Sequence, residues 1–191
     1  RNVLGRGPGT CLVVVVGGAK EATYVEPGEI RLVLENRKGF VREAIISGAD
    51  LVPILAFGET DLYASVKLEE VASSTWFVSA FKSFRRLVAR TTGVSTPIFR
   101  GRGIFLKDIG LMPLRKPVNL VVGAPVETPR VDKDFKPKFD RSNGKPLNDD
   151  AKVVEEVHHR YIEAVKSLYQ THKNALWNTP GINRRGTLKI D

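Results

Sequence analysis

Apolar residues in this chain fall into short unbroken runs and runs that recur at every third and fourth position. CLVVVV at 11–16 and LVPILAF at 51–57 are unbroken and rich in β-branched or aliphatic residues. Such runs predict strands buried on both faces. IRLVLE at 30–35, after a Pro27-Gly28 turn, and VNLVVG at 118–123 predict two further strands. Phe40, Val41, Ala44 and Ile45 have helical spacing and predict a helix over 38–47, closed by Gly48 as C-cap. Val154, Val157, Tyr161, Val165, Leu168 and His172 predict a long helix over 148–176. It starts at Asn148, with Asp149 and Asp150 suited to its positive end.

Strand, helix and strand in succession between 30 and 57 read as a βαβ unit, so the predicted fold class is α/β. Pro53 inside an apolar run requires a strand edge or a bulge, because it has no N–H for a ladder. Over 69–90, Trp76, Phe77, Phe81, Phe84, Leu87 and Val88 alternate with Lys82, Arg85, Arg86 and Arg90. This predicts a basic helix whose aromatic face suits either a core or a membrane interface. The polar, proline-bearing stretch 128–147 reads as an excursion loop and 177–191 as an extended tail. With 1–127 as an α/β core, the expectation is one domain.

Composition narrows the partners. The chain has 191 residues, enough for one real core, and a net charge of +9 that attracts polyanions. Nucleic acid, a phosphorylated cofactor and an anionic membrane all qualify on charge. No stacking platform or recognition-helix pattern accompanies it, so nucleic acid is not expected. The single cysteine, Cys11, excludes an internal disulfide and reads as a small buried hydrophobe. No Cys/His spacing suits zinc, and no Ser lies in a G-x-S-x-G elbow, so neither a metal site nor a hydrolase triad is expected. No apolar run reaches the roughly 20 residues of a spanning helix. The chain opens on Arg1 in what reads as a loop, which leads us to expect a domain incomplete at its N-terminus.

Three stretches could carry chemistry. In VVVVGGAKEA (13–22) a strand ends in Gly17-Gly18, and Glu21 follows at the carboxyl end of the strand, where α/β folds place their sites. In ENRKGFVREAIISGADLVPILAFGE (35–59), Arg37 and Lys38 open a helix, and Gly39 keeps the approach clear. A helix start with two cations favours a phosphate. Gly58-Glu59 ends the next strand much as Gly18 and Glu21 follow the first, so two carboxylates could face one pocket. Around FRGRGIF (99–105) and LMPLRKPVNLVVGAP (111–125), Arg100, Arg102, Arg115 and Lys116 flank apolar residues, as at a lipid–water boundary or a cofactor phosphate. The three histidines, His158, His159 and His172, all lie on the last helix, and His158 and His172 read as satisfied core or interface residues.

Together these stretches resemble the diacylglycerol acyltransferase 2 family, which includes the monoacylglycerol acyltransferases and related wax synthases. The likeness runs through VVGGAKEA (15–22), residues 35–59, 101–129 and EEVHHRYIEAVKSLYQTHK (155–173), in the family's order. The resemblance implies a glycerolipid-acyltransferase-like mixed sheet flanked by helices. It implies an acyl-CoA-dependent enzyme of the endoplasmic reticulum membrane, often on lipid droplets, that makes triacylglycerol from diacylglycerol. Fatty acyl-CoA is then a co-substrate, no cofactor is bound, and membrane lipid is a partner. The resemblance leaves room for a homo-oligomer.

In such enzymes a histidine of a His-Pro-His-Gly motif is the general base, and these 191 residues contain no such motif. The resemblance makes Glu21 a supporting carboxylate for catalysis, beside Gly17 and Gly18. It places substrate or acyl-CoA contacts at Arg37, Lys38, Gly39 and Phe40, and matches Pro53, Gly58 and Glu59 to the family's LVP and FGE elements. His158 receives no catalytic role. The competing reading is a non-catalytic lipid-surface protein on the same scaffold.

Overall fold

The computed structural model describes residues 7, 9–18, 21, 29–65, 99–100, 112–140, 142, 144–180 and 186–191, with 64, 65, 99 and 100 described in their backbone only. The elements in chain order are β1 (Glu29–Leu32), α1 (Gly39–Ser47), β2 (Ile54–Phe57), a 3-10 turn (Glu59–Asp61), β3 (Ala64–Ser65), β4 (Phe99–Arg100), β5 (Asn119–Val122), α2 (Asp149–Trp177) and β6 (Thr187–Ile190). Mixed helices and strands make the class α/β.

Both helices of the described residues end as their sequences direct. Gly48 closes α1 in a left-handed conformation (φ 63°), which a residue without Cβ adopts freely. The Asn148 side chain accepts the Ala151 N–H and caps α2, and Asp149 and Asp150 occupy its first turn.

The strands pair across long sequence distances. β1 lies parallel to β6, from Glu29 opposite Thr187 to Leu32 opposite Ile190. The pairing continues past β1, where the Asp191 carbonyl accepts from Leu34 N–H (2.8 Å) and Glu35 N–H (2.9 Å). β2 and β5 are antiparallel, with Ile54 opposite Val122 and Phe57 opposite Asn119. Leu51 bridges Val126, so Val52 and Pro53 face Gly123, Ala124 and Pro125 across a bulge. Pro53 is fully buried there, and its carbonyl accepts the Gly123 N–H at 2.8 Å. A side chain at 123 would stand 2.8 Å from the Pro53 ring, so the close approach requires glycine.

The long helix α2 joins two cores. Its first half sets Val154 and Val157 against Val41 and Ile45 of α1, with Phe135 and Phe139 of the 128–147 loop at the margin. Its second half sets Val165, Tyr169 and Trp177 against Ile30, Leu55 and Phe57. Phe57 stacks on Tyr169 at 5.9 Å and meets Trp177 edge-on at 5.5 Å.

Three sequence expectations need correction. Residues 11–16 form no strand, and Leu12 to Val15 are between 49% and 77% exposed. A doubly buried strand needs a ladder neighbour on each edge, and among the described residues none pairs with this run. Cys11 at its head is accordingly exposed, not buried. The βαβ unit also fails, because α1 connects two different sheets: β1 takes the tail strand β6 as its parallel neighbour, and β2 takes β5. The predicted helix at 69–90 lies outside the described residues.

Candidate active site

The Gly17-Gly18 turn shapes the position of Glu21. Gly18 is left-handed (φ 61°), and its carbonyl accepts the Glu21 N–H at 3.1 Å. A Cβ on Gly17 would stand 1.8 Å from the Glu21 carboxyl carbon, so the Glu21 side chain folds back over the turn into space that only glycine leaves. From there Glu21 Oε1 accepts the N–H of Val33 at 2.7 Å, just past the end of β1.

The second carboxylate arrives from β2. Gly58 (φ 87°) turns the chain at the end of that strand and starts the turn holding Glu59. Burial raises the Glu21 pKa, the Val33 hydrogen bond lowers it, the Glu59 charge raises it and Arg37 lowers it. The charges of Glu59 and Arg37 thus both act on Glu21, although the run 11–16 that leads to it is no strand. Asp61 is buried in the same turn. Thr60 Oγ1 and Asn119 Nδ2 are buried without a hydrogen-bond partner among the described residues, and Asn119 is the ladder partner of Phe57 at this end of β2. Unsatisfied polar atoms of this kind mark a place where a polar ligand or water belongs.

The RKGF quartet divides. Arg37 is exposed and acts on Glu21. Lys38 pairs with Glu155 (2.8 Å), donates to the Gly144 carbonyl (3.3 Å) and lies 5.2 Å from the Phe139 ring centre. It fastens α1 to α2 and the loop. Gly39 stays open, since a Cβ there would meet nothing within 4 Å. Phe40 packs edge-on against Tyr161 (5.2 Å) and His158 (6.3 Å). Pro53 sits in the buried bulge, away from the charged cluster's polar turn. Arg100 lies in β4, described in backbone only, and Arg102 lies outside the described residues.

His158 is a core residue, as its place on the apolar face suggested. It is 4% exposed, and its Nε2 lies 2.9 Å from the Leu34 carbonyl. A carbonyl only accepts, so this nitrogen carries the proton. Burial pushes the His158 pKa below its ordinary value. His159 is exposed and His172 half-buried. Among the described residues no group of three or more His, Cys, Asp or Glu side chains could hold a metal ion.

Sequence reading missed Val33, Thr60 and Asn119. Val33 contributes through its backbone, which leaves no side-chain signal. Asn119 carried a faint one, a carboxamide opening an otherwise apolar strand.

Comparison with known proteins decides the family. A family model described as diacylglycerol acyltransferase matches residues 2–183. The chain belongs to the diacylglycerol acyltransferase family. Within this family it is 34% identical over its whole length to diacylglycerol O-acyltransferase 2 of Dictyostelium discoideum, covering 50% of that protein. It is 36% identical to the Homo sapiens diacylglycerol O-acyltransferase 2, over 87% of this chain and 38% of that one. It is 34% identical to 2-acylglycerol O-acyltransferase 1 of Bos taurus, over 87% of this chain and 43% of that one. The chain spans about half the length of the curated relatives it matches, or less. No solved structure matches it.

Proposed function

We propose that these residues form part of an acyl-CoA-dependent O-acyltransferase that makes triacylglycerol from diacylglycerol, on a glycerolipid-acyltransferase-like mixed sheet. The observation that carries the reading is Glu21, held by Val33 N–H beside Glu59 and Arg37 at the turn the family resemblance singles out. In the reaction a base takes the proton of the acceptor hydroxyl. The oxygen attacks the thioester carbonyl, the C–S bond breaks, and the thiolate of coenzyme A leaves and is protonated. A histidine of the family's His-Pro-His-Gly motif would be that base, and these 191 residues contain no such motif. Glu21 supplies the carboxylate that orients the base and favours its charged form, as carboxylate partners do for other imidazoles. Partial burial strengthens that interaction.

The working place of such an enzyme is a lipid surface, here the endoplasmic reticulum membrane or a lipid droplet. No helix among the described residues is long and apolar enough to cross a membrane. Surface contact is supported instead by the outer face of β2 and β5, where Ile54, Leu120 and Val122 are 48–69% exposed. Arg115 and Lys116, also exposed, precede β5.

Glu21→Gln in the full-length protein tests the reading. Glutamine keeps an oxygen for the Val33 N–H, so expression and unfolding temperature should hold. Acyl transfer from labelled acyl-CoA to diacylglycerol should fall at least about tenfold. Wild-type turnover in that variant would refute the role of Glu21.

A further inference from the structure

A groove runs from the candidate active site along α2. Its near part, about 470 Å³, is lined by Val33, Arg37, Ile190 and Asp191 among others. Its far part, about 500 Å³, lies between α2 and β6. Glu35 and Ile190 line both parts, so the two adjoin at these residues. Glu21 itself lines neither part, but two residues of the near end act on it: Val33 N–H binds the Glu21 carboxylate, and the Arg37 charge acts on it.

The chemistry of the groove changes along its length. Ile190 gives apolar wall to both parts; in the far part the α2 side runs from Ile162 to Lys166, Gln170 and Lys173, with Leu188 across on β6. Ile162, Lys166, Gln170 and Lys173 recur at three and four, so they form one stripe of α2. The floor is built for close approach. Gly186 is left-handed (φ 52°), a Cβ there would press to 3.1 Å on the Trp177 ring, and the Gly186 carbonyl accepts the Tyr169 hydroxyl. Lys166 also pairs with Glu163 at 2.8 Å, but both are half exposed, and a pair so open to water is readily exchanged for a stronger anion. Two acids line the groove: Glu35 at the junction of the two parts, and Asp191 in the near part, where it pairs with Arg31 at 2.6 Å; neither lines the far part alone. From His158, which is bonded to Leu34 at the near end, α2 advances about 22 Å to Lys173.

We propose that this groove binds the coenzyme A portion of the acyl donor, with Lys166 and Lys173 on its phosphates and the thinner, less polar arm laid along Ile162 and Ile190 toward Glu21. The inference rests on the acyl-CoA reading above and adds to it a site and a direction. Phosphates at the far end would place the thioester at the carboxylate end. Cations on a rigid helix stripe hold phosphate without ordering new backbone.

The test is a binding measurement on full-length protein, with no need for turnover. Coenzyme A and 3′-dephospho-coenzyme A are titrated into wild type, Lys166→Glu/Lys173→Glu and the conservative Lys166→Arg/Lys173→Arg. A Lys166→Gln/Lys173→Gln pair serves if charge reversal impairs folding. Charge reversal should weaken coenzyme A binding about tenfold or more, the arginine pair should keep it, and the loss should be smaller for the dephospho form. Binding to phosphatidylcholine vesicles carrying phosphatidic acid should not change. Equal coenzyme A affinity in wild type and charge-reversed protein overturns the groove and leaves the acyl-CoA reading standing. A loss confined to the vesicles also overturns it and assigns the lysines to lipid phosphate. Wild type that binds no coenzyme A overturns both readings together.

Discussion

Glu21 and His158 hang from neighbouring residues of one backbone segment and meet opposite fates. Val33 N–H donates to the Glu21 carboxylate, and the Leu34 carbonyl accepts from His158. Each is a titratable group with one hydrogen bond to the extension of β1, and burial is the largest influence on each pKa. Around Glu21 stand a glycine turn, a second carboxylate and an exposed arginine. Around His158 stand the Phe40 ring and the core of α2. A hydrogen bond to backbone therefore does not separate a site from a strut. The neighbours do: charges act on both, Glu59 and Arg37 on Glu21 and Lys38, Glu155 and His159 on His158, but the carboxylate sits at a glycine turn beside an exposed arginine while the imidazole is enclosed against the Phe40 ring.

Changes at three positions would sharpen or break this contrast. The largest effect should come from His158→Ala, which leaves a cavity beside Phe40 and an unpaired Leu34 carbonyl, at a cost of about 2–4 kcal/mol in chemical denaturation. If His158 is only a strut, the turnover of the fraction still folded should match wild type. Its folded-state pKa lies below the ordinary 6.5, so the folded state binds fewer protons there than the unfolded state. The neutral-imidazole contribution is thus present above that value and lost as pH falls from 6.5 through the lowered pKa. His158→Gln should flatten that acid-side slope, and an unchanged slope would assign it to other groups.

Next in size is Gly17→Ala. Its methyl group would occupy the space of the folded-back Glu21 side chain, so Glu21 must leave Val33. Acyl transfer should drop about tenfold, equivalent to roughly 1.4 kcal/mol at the barrier, while thermal unfolding shifts little. A variant that loses stability but keeps turnover would reverse the roles assigned to the two groups. The smallest effect should follow Asn148→Ala, which removes the α2 cap far from Glu21 and should cost about 1 kcal/mol. Coenzyme A affinity of the folded protein should stay unchanged, because Lys166 and Lys173 lie beyond the first turns of the helix.

Much of this was legible along the chain. The apolar spacing of α1 and α2, the Gly48 stop, the Asn148 start and the β2 and β5 runs all appear within a few residues of their predicted limits. These features depend on local geometry, which sequence spacing carries. The turns at Gly18 and Gly58 that precede Glu21 and Glu59 were legible from their glycines, although the run leading to the first turn is no strand. Lys38 and Phe40 were less so, since their motif is compatible with ligand contact and structure gives their side chains to Glu155, Tyr161 and His158. The groove between α2 and β6 was invisible, because the tail showed no pattern that named its partner.

The sequence by itself determined the local elements, the excess of positive charge and the family. Only the tertiary structure decided which strands became neighbours, and pairing is a long-range choice that short apolar runs do not encode. CLVVVV has the stronger strand composition, yet it lies exposed, while the plainer TLKI of β6 pairs with β1. Through that pairing Asp191 fixes Leu34 and Glu35, and the same segment holds Glu21 on one residue and His158 on the next.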